Sequence, residues 1–200
     1  LQLGRGPDRR RRLDVTEGGN AAGGEGANAA DELVEWIDPD GHVLQAVTRA
    51  EMRAGRLRHR AVFIAVVDRA GRVVVHQRAA WKDVWPSAWD LAFGGVVAAG
   101  ETWEAAAARE LAEEAGLHEV VLAPLGDRFA YDDDAVSLLG RAYLAVTDAA
   151  VRPSDGEVVA VDRVPIGRLR PWAGTRVVCP DSWQAVLPAL EAWDAAQQRR

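Results

Sequence analysis

The chain from Glu32 onward alternates short β-branched runs with segments whose apolar residues recur at helical spacing. Runs of this kind, bounded by turn residues such as Gly, Pro and Asp, predict β-strands. Strands are expected within residues 32–48 (two strands around a Pro-Asp-Gly turn), 61–68, 72–78, 119–125, 128–132, 135–147 and 157–164. Only Arg-Ala-Gly separates residues 61–68 from residues 72–78, which predicts a hairpin.

Two helices outside the strands are predicted from their cap residues. Thr48 and Glu51 have the spacing of a capping box and Gly55 follows them, so a short helix is expected there. Residues 181–198 are expected to form a closing helix, and both of their first two residues, Asp and Ser, are good N-caps. A sheet with a few covering helices is an α/β or α+β fold.

A third helix is predicted from the N-cap Thr102 to about Ala115, with Gly116 just past its end. Because helical residues advance by about 100°, Glu110, Glu113 and Glu114 share one face about a turn long. Arg109 adjoins them and can pair with Glu113 at i+4. The remaining side of the helix is apolar and includes Ala107, Ala108, Leu111 and Ala115.

Like charges at this spacing normally weaken a helix, so a cation is expected near them. Mg²⁺ binds carboxylates together with substrate phosphates, where it neutralises phosphoryl oxygens and activates water. Gly94 and Gly95 precede the helix and allow close backbone approach. Taken alone, three glutamates are more often a solvated face, at roughly three to one.

The composition is that of an ordinary globular protein. Of 200 residues, 48% are apolar and 27% are charged, and the formal net charge is −6. This negative balance predicts no nucleic-acid partner and no membrane partner. A single cysteine, Cys179, cannot form an internal disulfide, which predicts a cytoplasmic protein. No apolar run approaches the roughly eighteen residues that span a bilayer.

Residues 1–31 differ in composition from the rest of the chain. The basic run Arg9–Arg12 is followed by Gly, Ala, Asn and Glu rather than by an apolar stretch, which argues against an export signal. A solvated tail is favoured over an anion-binding arm. We therefore expect a disordered tail over residues 1–31 and a single domain over residues 32–200, and leave a homodimer open.

The spacing around the acidic helix resembles the Nudix box, the signature of the Nudix hydrolase family. Gly95 is followed after five residues by Glu101, and after seven more by the run REL-x-EE-x-GL from Arg109 to Leu117. All fixed positions of the box are matched. This match outweighs the interpretation of the glutamates as a solvated face.

The resemblance implies an α/β/α sandwich, with a mixed sheet between helices, and a reaction. Family members typically hydrolyse a nucleoside diphosphate linked to another moiety, a small-molecule diphosphate substrate, with Mg²⁺ or Mn²⁺. Carried over by motif position, the metal ligands are Glu110, Glu113, Glu114 and the Gly95 carbonyl. Glu110 is then the activator of water, while Arg109 and Glu101 orient the carboxylates.

A finer resemblance, upstream of the box, is to the branch that includes isopentenyl-diphosphate isomerase and related hydrolases. It is carried by His59, Gln77, Arg78, Lys82, Pro86 and Trp89. In that branch the Arg and Lys contact diphosphate oxygens, so substrate-binding roles are expected for Arg78 and Lys82. Trp85 and Trp89 are expected to stack on a base or line the pocket. The alternative is that these cations are merely exposed beside a loop.

The sequence lacks residues on which isomerase activity depends. The isomerases have a catalytic Cys where Gly94 stands and a metal-binding His where Val96 stands, and they degrade the box that is intact here. We therefore expect a hydrolase on this branch. A non-catalytic module that binds a nucleotide or ADP-ribose is the main alternative. Glu157 stays open as a second candidate base or as a turn residue.

Overall fold

The fold is built on a central sheet whose strands match the predicted runs, except for the two-residue strand Trp89–Asp90, where no strand was predicted. The structure is a computed structural model and describes residues 30–154 and 156–199. Its strands are β1 (Leu33–Ile37), β2 (Val43–Thr48), β3 (His59–Val67), β4 (Arg72–Arg78), β5 (Trp89–Asp90), β6 (Leu122–Pro124), β7 (Phe129–Asp132), β8 (Ser137–Val146) and β9 (Val158–Pro165). Its helices are α1 (Arg49–Ala54), α2 (Trp103–Ala115), α3 (Leu169–Ala173) and α4 (Leu187–Gln197), with a 3₁₀ turn at Ile166–Arg168 and a π-helical turn at Ser182–Val186.

Among the described residues, seven strands form one mixed sheet. The strand order is β5-β4-β3-β8-β6, with β7 also paired to β8 and β9 also paired to β4. The pair β3–β8 is parallel, from His59 opposite Leu138 to Val67 opposite Val146, and the other pairs are antiparallel. The predicted hairpin is β3–β4, although its strands diverge early and pair only at Val67 and Val73.

Strand β3 is buried on both faces, which explains its nearly continuous apolar sequence. Its odd-numbered residues 61–67 pack in a core with Leu169, Leu187 and Leu190 of α3 and α4. Its even-numbered residues 62–66 pack against α2 on the other face. Helices therefore cover both faces of a mixed sheet, and the expected α/β/α sandwich is confirmed.

The hairpin β1–β2 and helix α1 form a small unit beside β3. The predicted capping box is present: the Thr48 hydroxyl accepts from the Glu51 amide at 3.2 Å and the Glu51 carboxylate accepts from the Thr48 amide at 2.9 Å. Met52 of α1 is buried in a cluster that reaches Val96, next to the glycine pair. Glu35 of β1 forms an ion pair with Arg60 of β3 at 2.7 Å. These contacts fix α1 next to the sheet.

The C-terminal region differs from the prediction. The closing helix divides into the π-helical turn and α4, because Pro188 lacks the amide that would continue a regular helical ladder. Asp181 caps the turn by accepting from the Ser182 amide at 2.7 Å. Helix α3 was not predicted. The tail expected for residues 1–31 lies outside the described residues, apart from residues 30 and 31.

No helix in the described part of the chain is long and apolar enough to cross a membrane.

Candidate active site

Helix α2 begins and ends where its caps predict. The Thr102 hydroxyl accepts a hydrogen bond from the Ala105 amide at 3.2 Å, and Gly116 ends the helix with a left-handed φ of 64°. The buried apolar side consists of Ala106, Ala107, Leu111 and Ala115. Ala108 is exposed, so its expected place on this side was wrong by a small rotation. The buried face aligns α2 with the sheet and brings its glutamates to the glycine pair.

Gly94 and Gly95 lie along the edge of β3 in an extended segment. The Val62 amide donates to the Gly95 carbonyl at 2.9 Å, and a Cβ on Gly94 would overlap the Val62 carbonyl. A Cβ on Gly95 would lie only 2.5 Å from Oε1 of Glu110. Both positions therefore require glycine: Gly94 because of the backbone of β3, and Gly95 because of the Glu110 carboxylate.

The three glutamates of α2 occupy different environments. Glu110 and Glu114 are buried, whereas the Glu113 side chain is 56% exposed and lies at the rim of this face. Oε2 of Glu114 accepts a hydrogen bond from the Gly94 amide at 3.0 Å. Helix and glycine pair thus hold the two inner carboxylates between them.

Arg109 is the positive group among these carboxylates. Its Nε and Nη2 donate to the two oxygens of Glu101 at 3.1 and 3.0 Å, so that pair is bidentate. Its Nη1 donates to Glu110 at 2.8 Å and to Glu113 at 3.1 Å, which confirms the predicted i+4 pair. This arrangement raises the pKa of Arg109, chiefly through the hydrogen bond to Glu101, against the opposing effect of burial. Arg109 therefore contacts Glu110 and Glu113 directly, whereas Glu101 is connected to them only through Arg109.

Burial acts on the inner carboxylates in the opposite sense. It raises the pKa of Glu110 to about 7, although Arg109 opposes the shift. The pKa of Glu114 is raised well above its usual value, first by burial and then by the neighbouring charge of Glu110. Two buried carboxylates so close together are stabilised by any cation that reaches them.

Lys82 approaches the cluster from the loop after β4. Its Nζ forms a close ion pair with Glu157 and lies 3.9 Å from Oε1 of Glu114. The Lys82 side chain is only 9% exposed, so it is buried beside these carboxylates rather than exposed beside a loop. The pKa of Glu157 is lowered because the attraction to Lys82 outweighs the effect of burial.

A cavity of about 80 Å³ is lined by Gly94 and Gly95, whereas no residue of α2 lines it. Its wall includes Arg78, Lys82 and Trp85 of the predicted substrate region. Arg78 is held by two hydrogen bonds from its guanidinium to the Val84 carbonyl, at 3.3 and 3.1 Å.

Trp89 lies elsewhere than its predicted substrate role requires. Neighbouring residues of a strand point to opposite faces, and in β5 it is Asp90 that lines the cavity. The Trp89 ring packs edge-on against Trp172 with centroids 5.3 Å apart, and Arg176 lies over it. Trp85, with a left-handed φ of 47°, lines the cavity, as does Phe63.

Several cavity residues were not singled out by sequence reasoning. Arg49 and Arg53 of α1 line it, and so does Asp90. Asp181 was predicted only as a helix cap, yet it also lines the cavity, where burial and then the charge of Asp90 raise its pKa to about 8. Local sequence carries no signal for these residues, because they meet only through the tertiary fold.

Residues 57–178, from two residues before β3 to the segment before Cys179, match the family model of the NUDIX domain. The chain belongs to the Nudix family. The match covers more than half of the chain and includes β3, the glycine pair, α2 and most of the cavity wall.

Other Nudix proteins resemble this one over most of its length. The Nudix hydrolase PA4841 of Pseudomonas aeruginosa is 37% identical over 80% of this chain and 95% of its own length. The Nudix hydrolase SCO1686 of Streptomyces coelicolor is 36% identical over 84% of this chain and 93% of its own. These relatives support assignment to the hydrolases of the family.

Solved structures show the same fold at low sequence identity. DR0079 of Deinococcus radiodurans has a TM-score of 0.65 at 21% identity, covering 78% of this chain and 98% of that one. The NUDIX domain of Shewanella oneidensis NrtR, solved in complex with ADP ribose, has a TM-score of 0.56 at 17% identity over 73% of this chain and 98% of that one. At these identities the likeness shows the fold.

The chemistry of the box residues fits a hard divalent cation. Carboxylate and carbonyl oxygens are the donors that such ions prefer, and the backbone of Gly95 lies against the Glu110 carboxylate. Within the described part of the chain, however, Glu110, Glu113 and Glu114 do not form a group whose ligand atoms all lie within 4.8 Å of one another, so they would have to turn toward a shared ion. A separate group of possible ligands, Asp38, Asp40 and His42, has its ligand atoms within 4.8 Å of one another. That group is the β1–β2 turn, in which Asp38 accepts from the amides of Asp40 and His42.

Proposed function

We propose that this Nudix protein hydrolyses a diphosphate linkage in a small-molecule substrate with the help of Mg²⁺ or Mn²⁺. One observation carries the proposal: two buried carboxylates, Glu110 and Glu114, contact a glycine pair that lines a cavity whose wall includes four cations. Phosphoryl transfer depends mainly on positioning and on charge stabilisation, and this arrangement supplies both.

The residues that would hold the metal are Glu110, Glu113, Glu114 and the Gly95 carbonyl. The Gly95 oxygen already accepts one hydrogen bond, from Val62, and a carbonyl oxygen has a second lone pair for an ion. Glu113 would have to turn from Arg109, and its exposure leaves it free to rotate. When bound, the ion supplies neutralisation of phosphoryl charge and a lower pKa for an attacking water.

Side chains of the protein orient the carboxylates and accept the proton of the attacking water in this proposal. Arg109 fixes the orientation of Glu110 through its 2.8 Å hydrogen bond and is itself anchored by Glu101. Glu110 takes the proton of the attacking water in this proposal. Glu157 is the less suitable base, because its carboxylate is engaged by Lys82.

Arg78 and Lys82 bind the oxygens of the diphosphate. Arg78 is preorganised by the Val84 carbonyl, and Nη1, which lies 4.0 Å from Asp90, is the nitrogen not bound to that carbonyl. Lys82 is next to Glu114 and to the cavity, so it connects the metal ligands with the substrate. Trp85 rather than Trp89 contacts the organic part of the substrate.

We place the protein near the isopentenyl-diphosphate isomerase branch on the residues quoted above. His59 supports this placement, since it lines the cavity and bonds to the Leu57 carbonyl through Nδ1 at 2.9 Å. Isomerase activity is disfavoured, because the strand contact at Gly94 leaves no room for the side chain of a catalytic cysteine. A hydrolase on this branch is the proposal that remains.

The test is a hydrolysis panel with Mg²⁺. Nucleoside diphosphates linked to sugars or other groups, ADP-ribose and small alkyl diphosphates are incubated with the protein, and released phosphate or monophosphate is measured. Glu114→Gln is expected to lower turnover roughly a hundredfold or more. Glu104→Gln is the matched control, because Glu104 lies on the same helix but is 66% exposed and bonds to the Tyr143 hydroxyl.

Absence of turnover for every member would contradict the proposal. Tight binding of a panel member without product would instead support the non-catalytic binding module. Incorporation of solvent deuterium into isopentenyl diphosphate would support the isomerase.

A further inference from the structure

Four cationic side chains come together around the cavity of this otherwise acidic protein. Arg78 and Lys82 come from the β4–β5 region, while Arg49 and Arg53 come from α1, about 30 residues earlier in the chain. The net charge of the whole chain is −6, so this concentration of positive charge is local. The wall also includes Asp83, Asp90 and Asp181, so the four cations lie among carboxyl groups rather than in a wall of one sign.

Three of these cations also border a second cavity. A groove of about 310 Å³ includes Trp81 and Ala50 in its wall, together with Asp83 and Glu157, the ion-pair partners of Arg53 and Lys82. Arg49, Arg53 and Lys82 line both the groove and the inner cavity. They therefore form a cationic bridge between a small inner space at Gly94–Gly95 and a larger outer space.

The two arginines of α1 have hydrogen-bond donors to spare. Each guanidinium carries five N–H donors. Arg49 uses Nη1 for Glu32 at 3.1 Å, and Arg53 has its Nε 3.0 Å from Asp83. Nε of Arg53 is buried and has no hydrogen-bond partner within the described part of the chain, and the side chain is only 24% exposed.

The position of α1 is fixed by packing rather than by these cations. Met52 anchors the helix in the cluster with Val34 and Val96, and the capping box closes its first turn. The same cluster reaches Val96, one residue from Gly95. Packing thus fixes the position of β1, β2 and α1 relative to Gly95, and both arginines of α1 line the same cavity.

We infer that Arg49 and Arg53, together with Lys82, bind the second phosphate of the substrate. This inference rests on the proposed function and names its substrate class: two linked phosphates, attached to a group that extends into the outer groove. One phosphate lies at Gly94–Gly95 beside Glu110. The other lies on the cationic bridge, where guanidinium groups bind phosphate oxygens in pairs.

Binding of inorganic diphosphate, measured by calorimetry with excess EDTA, tests the bridge without hydrolysis or metal. The dissociation constant is expected to rise about tenfold in Arg49→Gln and in Arg53→Gln, since each loses charge-assisted hydrogen bonds. Arg69→Gln is the matched control and should bind like wild type, because Arg69 is 80% exposed and pairs with Asp148 at 3.1 Å. Arg53→Lys should recover part of the affinity, since it restores the charge.

Thermal unfolding without diphosphate checks that each variant is folded. Equal dissociation constants in wild type, Arg49→Gln and Arg53→Gln would overturn the inference, and so would failure of wild type to bind millimolar diphosphate. Should a glutamine variant not fold, an Arg53→Lys protein with unchanged affinity and unchanged salt dependence would also count against it. Diphosphate binding that depends on the arginines, without turnover in the hydrolysis panel, would uphold the bridge and refute the hydrolase proposal alone.

Discussion

Two adjacent glycines offer a sharp separation of folding from function. At Gly95, an added Cβ meets the end of a side chain, Oε1 of Glu110, at 2.5 Å. At Gly94, it meets the backbone carbonyl of Val62, and the φ of 153° disfavours any residue with a side chain. We therefore predict that Gly95→Ala disables the site, whereas Gly94→Ala disrupts the fold.

The magnitudes follow from what must move. In Gly95→Ala the Glu110 carboxylate must retreat by about 1 Å to reach ordinary contact, and a misplacement of that size costs roughly a hundredfold in rate. The free energy of unfolding changes by only about 1 kcal/mol, because a side-chain end can rotate and the unfolded chain loses entropy. In Gly94→Ala the overlap with β3 and the unfavourable φ lower the free energy of unfolding by roughly 2–5 kcal/mol.

The assay combines urea unfolding, followed by tryptophan fluorescence, with the hydrolysis panel. Gly167→Ala is the control, because Gly167 has no positive φ and an added Cβ there meets nothing within 4 Å. It should stay within about 1 kcal/mol of wild type and keep its activity. A fully active Gly95→Ala, or a Gly94→Ala with an unchanged urea midpoint, would refute the packing described for the glycine pair.

Three further substitutions test the surroundings of the site. Arg109→Met should lower the free energy of unfolding by about 2–4 kcal/mol in urea denaturation, because it leaves the mostly buried Glu101 and Glu110 without their cation. A loss below about 0.5 kcal/mol would contradict a stabilising role for these ion pairs. Lys82→Gln should raise KM at least about tenfold in steady-state kinetics, and an unchanged KM would show that Lys82 does not bind substrate. His76 is buried against Phe93, and burial lowers its pKa from 6.5 to about 4. Between pH 6.5 and pH 4 the unfolded state therefore binds one more proton at this residue than the folded state does, so the free energy of unfolding decreases as pH falls through that range. Urea unfolding at pH 7 and pH 4.5 should show His76→Phe losing up to about 3 kcal/mol less than wild type, whereas equal losses would contradict this assignment.

Local signals account for what the sequence predicted well. The ends of α2 were predicted at Thr102 and Gly116, since caps are set by neighbouring residues, and both are confirmed. The grouping of Arg109 with the glutamates follows from helical geometry alone, and the structure shows it. The β-branched and apolar runs of β3 and β8, bounded by turn residues, likewise indicated strands, because such a run is a local feature of the sequence.

Long-range placement accounts for what the sequence did not reveal. Arg49 and Arg53 reach the cavity because α1 packs on Val96, far along the chain, and no local pattern encodes that contact. The choice between Trp85 and Trp89 depends on which face of β5 points to the cavity, and a two-residue strand has too short a pattern to show it. The metal and the roles of the site residues stay predictions.

The central claim is that the inner carboxylates of α2 bind the divalent cation used in catalysis. Titration with Mn²⁺, with free ion followed by electron paramagnetic resonance, tests it most directly and needs no substrate. Wild type and the control Glu104→Gln should bind Mn²⁺ equally, while Glu110→Gln and Glu114→Gln should each bind at least about tenfold more weakly. Equal Mn²⁺ affinity in all four proteins would contradict the claim.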